Sequence, residues 1–101
     1  MHYLMFYDFV PDYLERRGRF RAEHLKHAWD AQARGELILA GALADPVDGG
    51  VLLFRCDSPT VAEDFAAADP YVTNGLVTGY RVRGWTTVIG TDAATPVRPD
   101  A

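Results

Sequence analysis

The feature that most constrains this chain is that its extended segments carry apolar residues on both sides. In residues 2–9, Leu4 and Phe6 lie on one side of the predicted strand, and apolar or aromatic residues also fill the other side. Residues 37–43 and 51–56 show the same lack of alternation. Because a strand with one face in water alternates apolar and polar residues, this pattern predicts a sheet that is covered on both faces.

The order of the segments predicts an α+β domain of the ferredoxin-like type. The predicted elements are strand 2–9, a short helix after Pro11, a helix over 20–34 ended by Gly35, strands 37–43 and 51–56 around a turn at 45–50, a helix from Ser58 or Thr60 to Ala68, and strand 80–89. This βαββαβ order places two helices on one face of an antiparallel sheet. Residues 1–90 form the predicted domain, and residues 91–101 are expected to be a flexible tail.

The second apolar face of the sheet predicts a partner. Two helices cover one side only, and soluble monomers seldom leave a large apolar patch in water. A homodimer that pairs the open sheet faces solves this problem, because one self-complementary surface serves both subunits. The alternative is a monomer that holds a hydrophobic ligand on that face.

Composition and charge exclude several classes of function. The 101 residues carry a formal net charge of −4, so a surface that binds nucleic acid is not expected. Cys56 is the single cysteine, and neither a spaced His/Cys metal set nor a phosphate-binding glycine loop is present, which predicts no metal and no organic cofactor. Residues 1–10 lack a basic leader and are too short to span a membrane, so a cytoplasmic protein without membrane contact is expected.

One histidine stands out as a candidate catalytic group. At about 100° per residue, the helix over 20–34 places His24 on the same side as Leu25 and Ala28, away from the charged face. Arg21 lies one turn earlier on this side, and a guanidinium there needs an anion, either a protein carboxylate or a ligand. A core histidine bonded to a backbone carbonyl is the alternative interpretation of His24.

A carboxylate at the end of the next helix is the candidate partner of His24. Pro70 stops that helix and favours an extended conformation for Asp69, which turns the carboxylate away from the helix axis. A carboxylate on the imidazole would fix its tautomer. Tyr71, Asn74 and Gly75 follow and offer a ring, an amide and a point of close backbone approach for a small ligand. The alternative is that Asp69 and Pro70 form an ordinary loop.

These motifs resemble those of the YciI-like (YCII-related) proteins over about residues 2–89. The motifs that carry the resemblance are Leu14-Glu15-Arg16-Arg17 with Arg21-Ala22-Glu23-His24-Leu25, Gly35-Glu36-Leu37 with Gly41, and Ala67-Ala68-Asp69-Pro70-Tyr71-Val72 with Gly75-Leu76. The resemblance implies a dimeric α/β barrel of ferredoxin-like subunits and a His24–Asp69 catalytic pair. It also implies elimination or related proton transfer on small aromatic or cyclic compounds without a cofactor. The chain departs at Ala42, where family members often have proline after the glycine.

Three functions follow as hypotheses. The first is a lyase or isomerase in which Asp69 orients His24, His24 moves a proton, and Arg21 stabilises an anionic or phenolic substrate positioned by Tyr71, Asn74 and Gly75. The second is a noncatalytic dimeric module that binds a small ligand with the same residues. The third is a cofactor-free monooxygenase, because such enzymes share this barrel architecture, although a fold alone does not fix an activity.

Overall fold

A computed structural model describes residues 1–100 and has a single four-stranded antiparallel sheet. The strands are β1 (His2–Phe9), β2 (Leu37–Ala42), β3 (Gly49–Arg55) and β4 (Val77–Trp85), in the spatial order β2-β3-β1-β4. β1 pairs with both β3 and β4, and β2 forms an edge. This confirms the prediction of an α+β, ferredoxin-like fold.

Four helices connect the strands. They are α1 (Tyr13–Arg16), α2 (Arg21–Ala33), α3 (Pro59–Ala68) and α4 (Pro70–Thr73), with a 3-10 turn at Arg17–Arg19. Ser58 caps α3, since its side chain accepts a hydrogen bond from the backbone N–H of Thr60. Gly35 ends the α2 segment with a φ of 80°, a left-handed conformation that glycine adopts without steric cost.

The core lies between the helices and one face of the sheet. Met5, Phe54 and Leu76 are fully buried, and Phe65 of α3 packs edge-on against Phe54. α2 is different, because Ala31 is its one buried residue. Ala28 and Ala31 join the core, and the first part of the predicted inward face, including Arg21, His24 and Leu25, borders an opening above β2.

The other face of the sheet has an apolar centre and a basic edge. Phe6 lies opposite Val51 on one neighbouring strand and opposite Arg81 on the other. The Arg81 guanidinium stands 4.7 Å from the centroid of the Phe6 ring, which is cation–π distance. The prediction that both faces of the first three strands are apolar holds, whereas β4 adds arginines to the open face.

The region after α3 differs from the predicted boundaries. β4 runs from Val77 to Trp85 instead of 80–89, because Leu76 and Val77 are buried and extend the pairing with β1. The predicted loop before β4 contains α4, whose first N–H groups are capped by Asp69.

The segment predicted to be a flexible tail begins with a hydrogen-bonded turn. The backbone N–H groups of Thr95 and Val97 donate to the carbonyls of Thr87 and Val88, at 3.1 and 2.9 Å. Thr87 also contacts Nδ1 of the buried His2 at 2.6 Å. These bonds fold residues 91–97 back on the chain; the last predicted tail residue, 101, lies outside the described residues.

Candidate active site

A cavity of about 510 Å³ opens between α2, the edge strand β2 and a group of tyrosines. Two stripes of α2 form one wall, and β2 forms the opposite wall. The lining residues are Tyr7, Phe9, Tyr13, Arg17, Arg21, His24, Leu25, Ala28, Trp29, Gln32, Leu37, Ile38, Leu39, Ala40, Gly41, Ala42, Gly50, Leu52 and Tyr71. The volume lies within the range of cavities that hold small organic molecules.

His24 and Asp69 meet at the inner end of this cavity. Nδ1 of His24 is 2.7 Å from Oδ1 of Asp69, although the residues lie on different elements. The histidine ring keeps 18% of its side-chain surface exposed, whereas the aspartate is fully buried. The structure therefore brings together the two residues that the sequence singled out as a pair.

Asp69 is surrounded by hydrogen-bond donors. Oδ2 accepts from the Tyr7 hydroxyl at 2.7 Å, and Oδ1 also accepts from the backbone N–H of Tyr71 at 3.0 Å. Its backbone is extended, with φ −72° and ψ 122°, as expected for a residue before Pro70. Asp69 accepts hydrogen bonds from both the Tyr7 hydroxyl and the Tyr71 N–H, so it also acts as an acceptor toward His24. The geometry therefore assigns the proton of the neutral imidazole to Nδ1.

The imidazole of His24 is held flat against Tyr71. Their ring centroids are 3.8 Å apart and the ring planes differ by 8°. Stacking and the bond to Asp69 together fix the ring in two directions. Nε2 makes no hydrogen bond within residues 1–100, so it is the nitrogen available on the cavity side.

Tyr71 also carries a buried hydroxyl without a partner in residues 1–100. Its ring meets Tyr13 edge-on, at 5.6 Å between centroids. Burial, followed by the neighbouring Tyr13 hydroxyl, raises the pKa of Tyr71 to about 12. The phenol is therefore neutral at physiological pH, and its nearest polar neighbour is the Tyr13 hydroxyl.

Two arginines line the same end of the cavity. Arg21 begins α2, and Arg17 lies in the preceding 3-10 turn with its guanidinium 5.6 Å from the Tyr13 ring centroid. Among residues 1–100, no aspartate or glutamate lines the cavity, since Asp69 is shielded behind His24. In a chain with a net charge of −4, this concentrates positive charge at the His24 end of the cavity.

Asn74 and Gly75 are not brought to the cavity. The Asn74 side chain donates to the carbonyl of Pro70 at 2.8 Å, and the backbone carbonyl of Asn74 accepts from the Arg16 guanidinium at 3.2 Å. Gly75 has a φ of 77° and closes the turn before β4. Both residues shape the loop after α4, because their polar groups are used within that loop.

Tyr7, Tyr13 and Arg17 are site residues that the sequence analysis did not select. Tyr7 lies on the core side of β1, where a tyrosine is indistinguishable from ordinary packing until its neighbour is known. Burial and the charge of Asp69 raise the pKa of the Tyr7 phenol above its usual range. A polar hydroxyl at a predicted core position was the one available signal, since buried tyrosine hydroxyls need partners.

The described residues contain neither a cluster of potential metal ligands nor a helix that could span a membrane. Residues 1–100 contain no group of three or more His, Cys, Asp or Glu side chains arranged to hold a metal ion. None of their helices has the length and apolar character needed to cross a bilayer. The chemistry of the cavity is that of an imidazole, phenols and guanidinium groups.

The protein is a ferredoxin-like domain with a cavity between its edge strand β2 and its longest helix α2. The YCII-related domain matches residues 1–86, and the chain belongs to this family. A protein of unassigned function from Haemophilus influenzae (strain Rd) is 32% identical over 85 residues, which cover 75% of this chain and 87% of that protein. The family assignment confirms the resemblance found in the sequence motifs.

Solved structures share the fold at lower sequence identity. The 5-chloro-2-hydroxyhydroquinone dehydrochlorinase from Burkholderia phenoliruptrix AC1100, in complex with 2,5-dihydroxybenzoquinone, superposes with a TM-score of 0.73 at 22% identity. The match covers 86% of this chain and 95% of that one. A NIPSNAP family protein from Agrobacterium tumefaciens strain C58 has a TM-score of 0.52 at 17% identity, covering 96% and 97% of the two chains. These similarities concern the fold.

Proposed function

We propose that the protein is a cofactor-independent lyase or isomerase that moves a proton on a small aromatic or cyclic substrate. His24 is the proposed base, Asp69 orients it, and Arg21 and Tyr71 hold the substrate. The observation that carries this proposal is the bond from Nδ1 of His24 to the buried Asp69, at 2.7 Å, which leaves Nε2 for the cavity. A dehydrochlorinase shares the fold, so elimination is the reaction to test first, although a fold alone does not fix an activity.

The proposed reaction begins with transfer of one proton. Nε2 of neutral His24 takes the proton of a substrate hydroxyl or acidic C–H, and the electron pair of that bond stays on the substrate. Asp69 stabilises the imidazolium, and the guanidinium groups of Arg17 and Arg21 stabilise the substrate anion. The electron pair then forms a new double bond as the leaving group departs with its own pair, so that the substrate loses HX overall.

The energetic contribution of such a base limits the substrate. General acid/base assistance by a positioned side chain contributes roughly 10²- to 10⁴-fold in rate. This is sufficient for a substrate whose proton is already acidic, and insufficient for an inert hydrocarbon. Phenols, activated lactones and halogenated hydroxyaromatics are therefore the compounds to test first.

Turnover in matched variants tests the proposal. The native protein, His24→Ala and Asp69→Asn are incubated with these compounds, and product and released halide are followed by mass spectrometry and ion chromatography. We expect a loss of about 10²- to 10⁴-fold in both variants. His27→Gln is the control, because His27 lies on the same helix and contacts the carbonyl of Phe65 outside the cavity. Equal turnover in His24→Ala and the native protein would refute the base.

A noncatalytic ligand-binding module is the second candidate function. The observation that favours it is the pair of arginines, Arg17 and Arg21, in the lining of the cavity, which suits retention of an anion as well as its conversion. Binding of phenols without any product, in the native protein and in both variants, would support the module. Oxygen uptake with turnover would instead support a cofactor-free monooxygenase.

We also propose that two chains pair through the open face of the sheet. Leu4, Phe6 and Leu53 give this face its apolar centre, and Leu39 is 72% exposed at its edge. A symmetric pair covers the same patch on both chains. The free Cys56 fits a reducing compartment, and we therefore propose a cytoplasmic location. Together with the sheet contact, the proposed state is a cytoplasmic homodimer.

A further inference from the structure

We propose that the cavity binds an elongated acid, with an anionic or phenolic head near His24 and an apolar body that extends along α2 to Trp29. This deepens the proposed function and depends on it in taking the cavity as the substrate site. The size, the charge distribution and the exposed apolar rim of the cavity carry the inference.

The cavity is larger than one aromatic ring requires. A cavity of roughly 150 Å³ holds a benzene molecule, and this one measures about 510 Å³. Its lining follows α2 from Arg21 to Gln32, a span of about 16 Å at ~1.5 Å per residue. A monocyclic substrate would leave most of this length in contact with water.

The two ends of the cavity differ in chemistry. The chain reverses at Gly35, so the start of β2 lies beside the end of α2. Arg21, His24 and Tyr71 form the other end of the cavity, near the start of α2. The far end is formed by Ala28, Trp29 and Leu37, with Gln32 as its polar side chain. A ligand that satisfies both ends carries its charge at one terminus only.

Exposure at the far end shows where the apolar body would lie. Trp29 is 66% exposed and Leu25, one turn earlier on α2, is 40% exposed, and both line the cavity. Burial of such side chains against a ligand contributes a favourable free energy of roughly 25 cal/mol per Å² of apolar surface removed from water. The exposed rim therefore gives an extended ligand an advantage that a single ring lacks.

Three matched ligands test the inference by binding, independently of turnover. Benzoate carries the head alone, biphenyl-4-carboxylate carries the head and the extension, and biphenyl-4-methanol carries the extension without charge. Calorimetry on the native protein should give biphenyl-4-carboxylate an affinity at least about tenfold higher than that of either other ligand. Equal affinities of benzoate and biphenyl-4-carboxylate would overturn the proposal.

Trp29 also reports where the ligand lies. Emission excited at 295 nm should change when biphenyl-4-carboxylate is added to Trp85→Phe, and should not change in Trp29→Phe. Ala40→Leu fills the β2 side of the cavity and should remove the tenfold gain while benzoate binding persists. Ala67→Leu is the control, since Ala67 is exposed on α3 and does not line the cavity.

Three further outcomes separate this inference from its rivals. If acrylamide does not quench Trp29 in the free protein, a second copy of the chain covers this end, and the inference is wrong. If the elongated acid binds as expected and no compound is turned over, the inference stands and the proposed reaction fails. Turnover of single-ring phenols with no gain in affinity from the extension would support the proposed reaction and refute this inference.

Discussion

The hydroxyl of Tyr7 donates a 2.7 Å hydrogen bond to Oδ2 of Asp69, while the other carboxylate oxygen faces His24. The three residues lie on β1, at the end of α3 and on α2, so the orientation of the proposed base depends on three elements at once. Tyr7 comes from the central strand of the core and is 4% exposed. A side chain buried in the core therefore holds the carboxylate that in turn holds the histidine.

Removal of the Tyr7 hydroxyl should loosen this arrangement. In Tyr7→Phe, Asp69 loses one of its three donors, and its side chain becomes free to rotate away from His24. We expect the Nδ1–H tautomer to become mixed with Nε2–H, as seen in ¹⁵N spectra of the imidazole, and turnover to fall by about tenfold, as for the loss of one charge-assisted bond. Tyr7 would then be a positioning residue.

Tyr80→Phe is the matched control for Tyr7→Phe. The Tyr80 ring lies beside Tyr7, with 6.3 Å between centroids, but it is 39% exposed and does not contact Asp69. Its substitution should leave the tautomer unchanged. A native-like ¹⁵N spectrum in Tyr7→Phe would show that Asp69 is held by its other contacts.

The buried phenols should make the fold sensitive to alkali. The pKa of Tyr71 is raised from 10.0 to about 12, and burial also raises that of Tyr7. Between these pH values the folded state keeps protons that the unfolded chain releases, so stability falls as the pH rises from 10 to 12. Urea unfolding at pH 8, 10 and 11 should show this fall in the free energy of unfolding. Tyr71→Phe should reduce the slope of that free energy against pH. An unchanged slope in that variant would contradict the assignment.

Arg21 should attract anionic ligands to the cavity. In Arg21→Gln, the affinity for biphenyl-4-carboxylate should fall by about five- to tenfold, while biphenyl-4-methanol should bind as before. The salt dependence of binding should also weaken, because an exposed guanidinium acts through a screened field. Arg19→Gln is the control, since Arg19 points to Phe20 and does not line the cavity. Equal losses in the two variants would indicate a general charge effect.

The sequence predicted the fold because its signals were local. Gly35, Pro70 and the apolar segments fixed the order of the elements, and the helical period put His24 beside Arg21. The pairing of His24 with Asp69 rested on the family resemblance as much as on spacing, since residues on separate elements meet only through the tertiary fold.

Other parts of the site could not be predicted from local patterns. Tyr7 joins the site through its position opposite Asp69, which depends on how α3 packs on β1. Asn74 was selected because its amide is polar, but it binds Pro70 within its own turn. The bulge between Leu37 and Leu39 changes which side of the edge strand meets the cavity, and no residue pattern announced it.

The apolar centre of the open sheet face should control assembly. Leu53 lies opposite Leu4 and Leu39 on neighbouring strands, so its side chain is in the middle of this patch. We expect Leu53→Lys to convert a dimer into a monomer in sedimentation experiments at micromolar concentration, because dimerisation would bury an unpaired charge in the apolar centre of the interface.

A control variant separates assembly from folding in this experiment. Ala67→Lys adds the same charge to the exposed face of α3, away from the sheet, and should remain dimeric. Because Leu53 keeps part of its surface exposed in a single chain, Leu53→Lys should retain a native circular dichroism spectrum. A native protein that sediments as a monomer at this concentration would refute the dimer. Two variants that both remain dimeric would move the interface to another face of the chain.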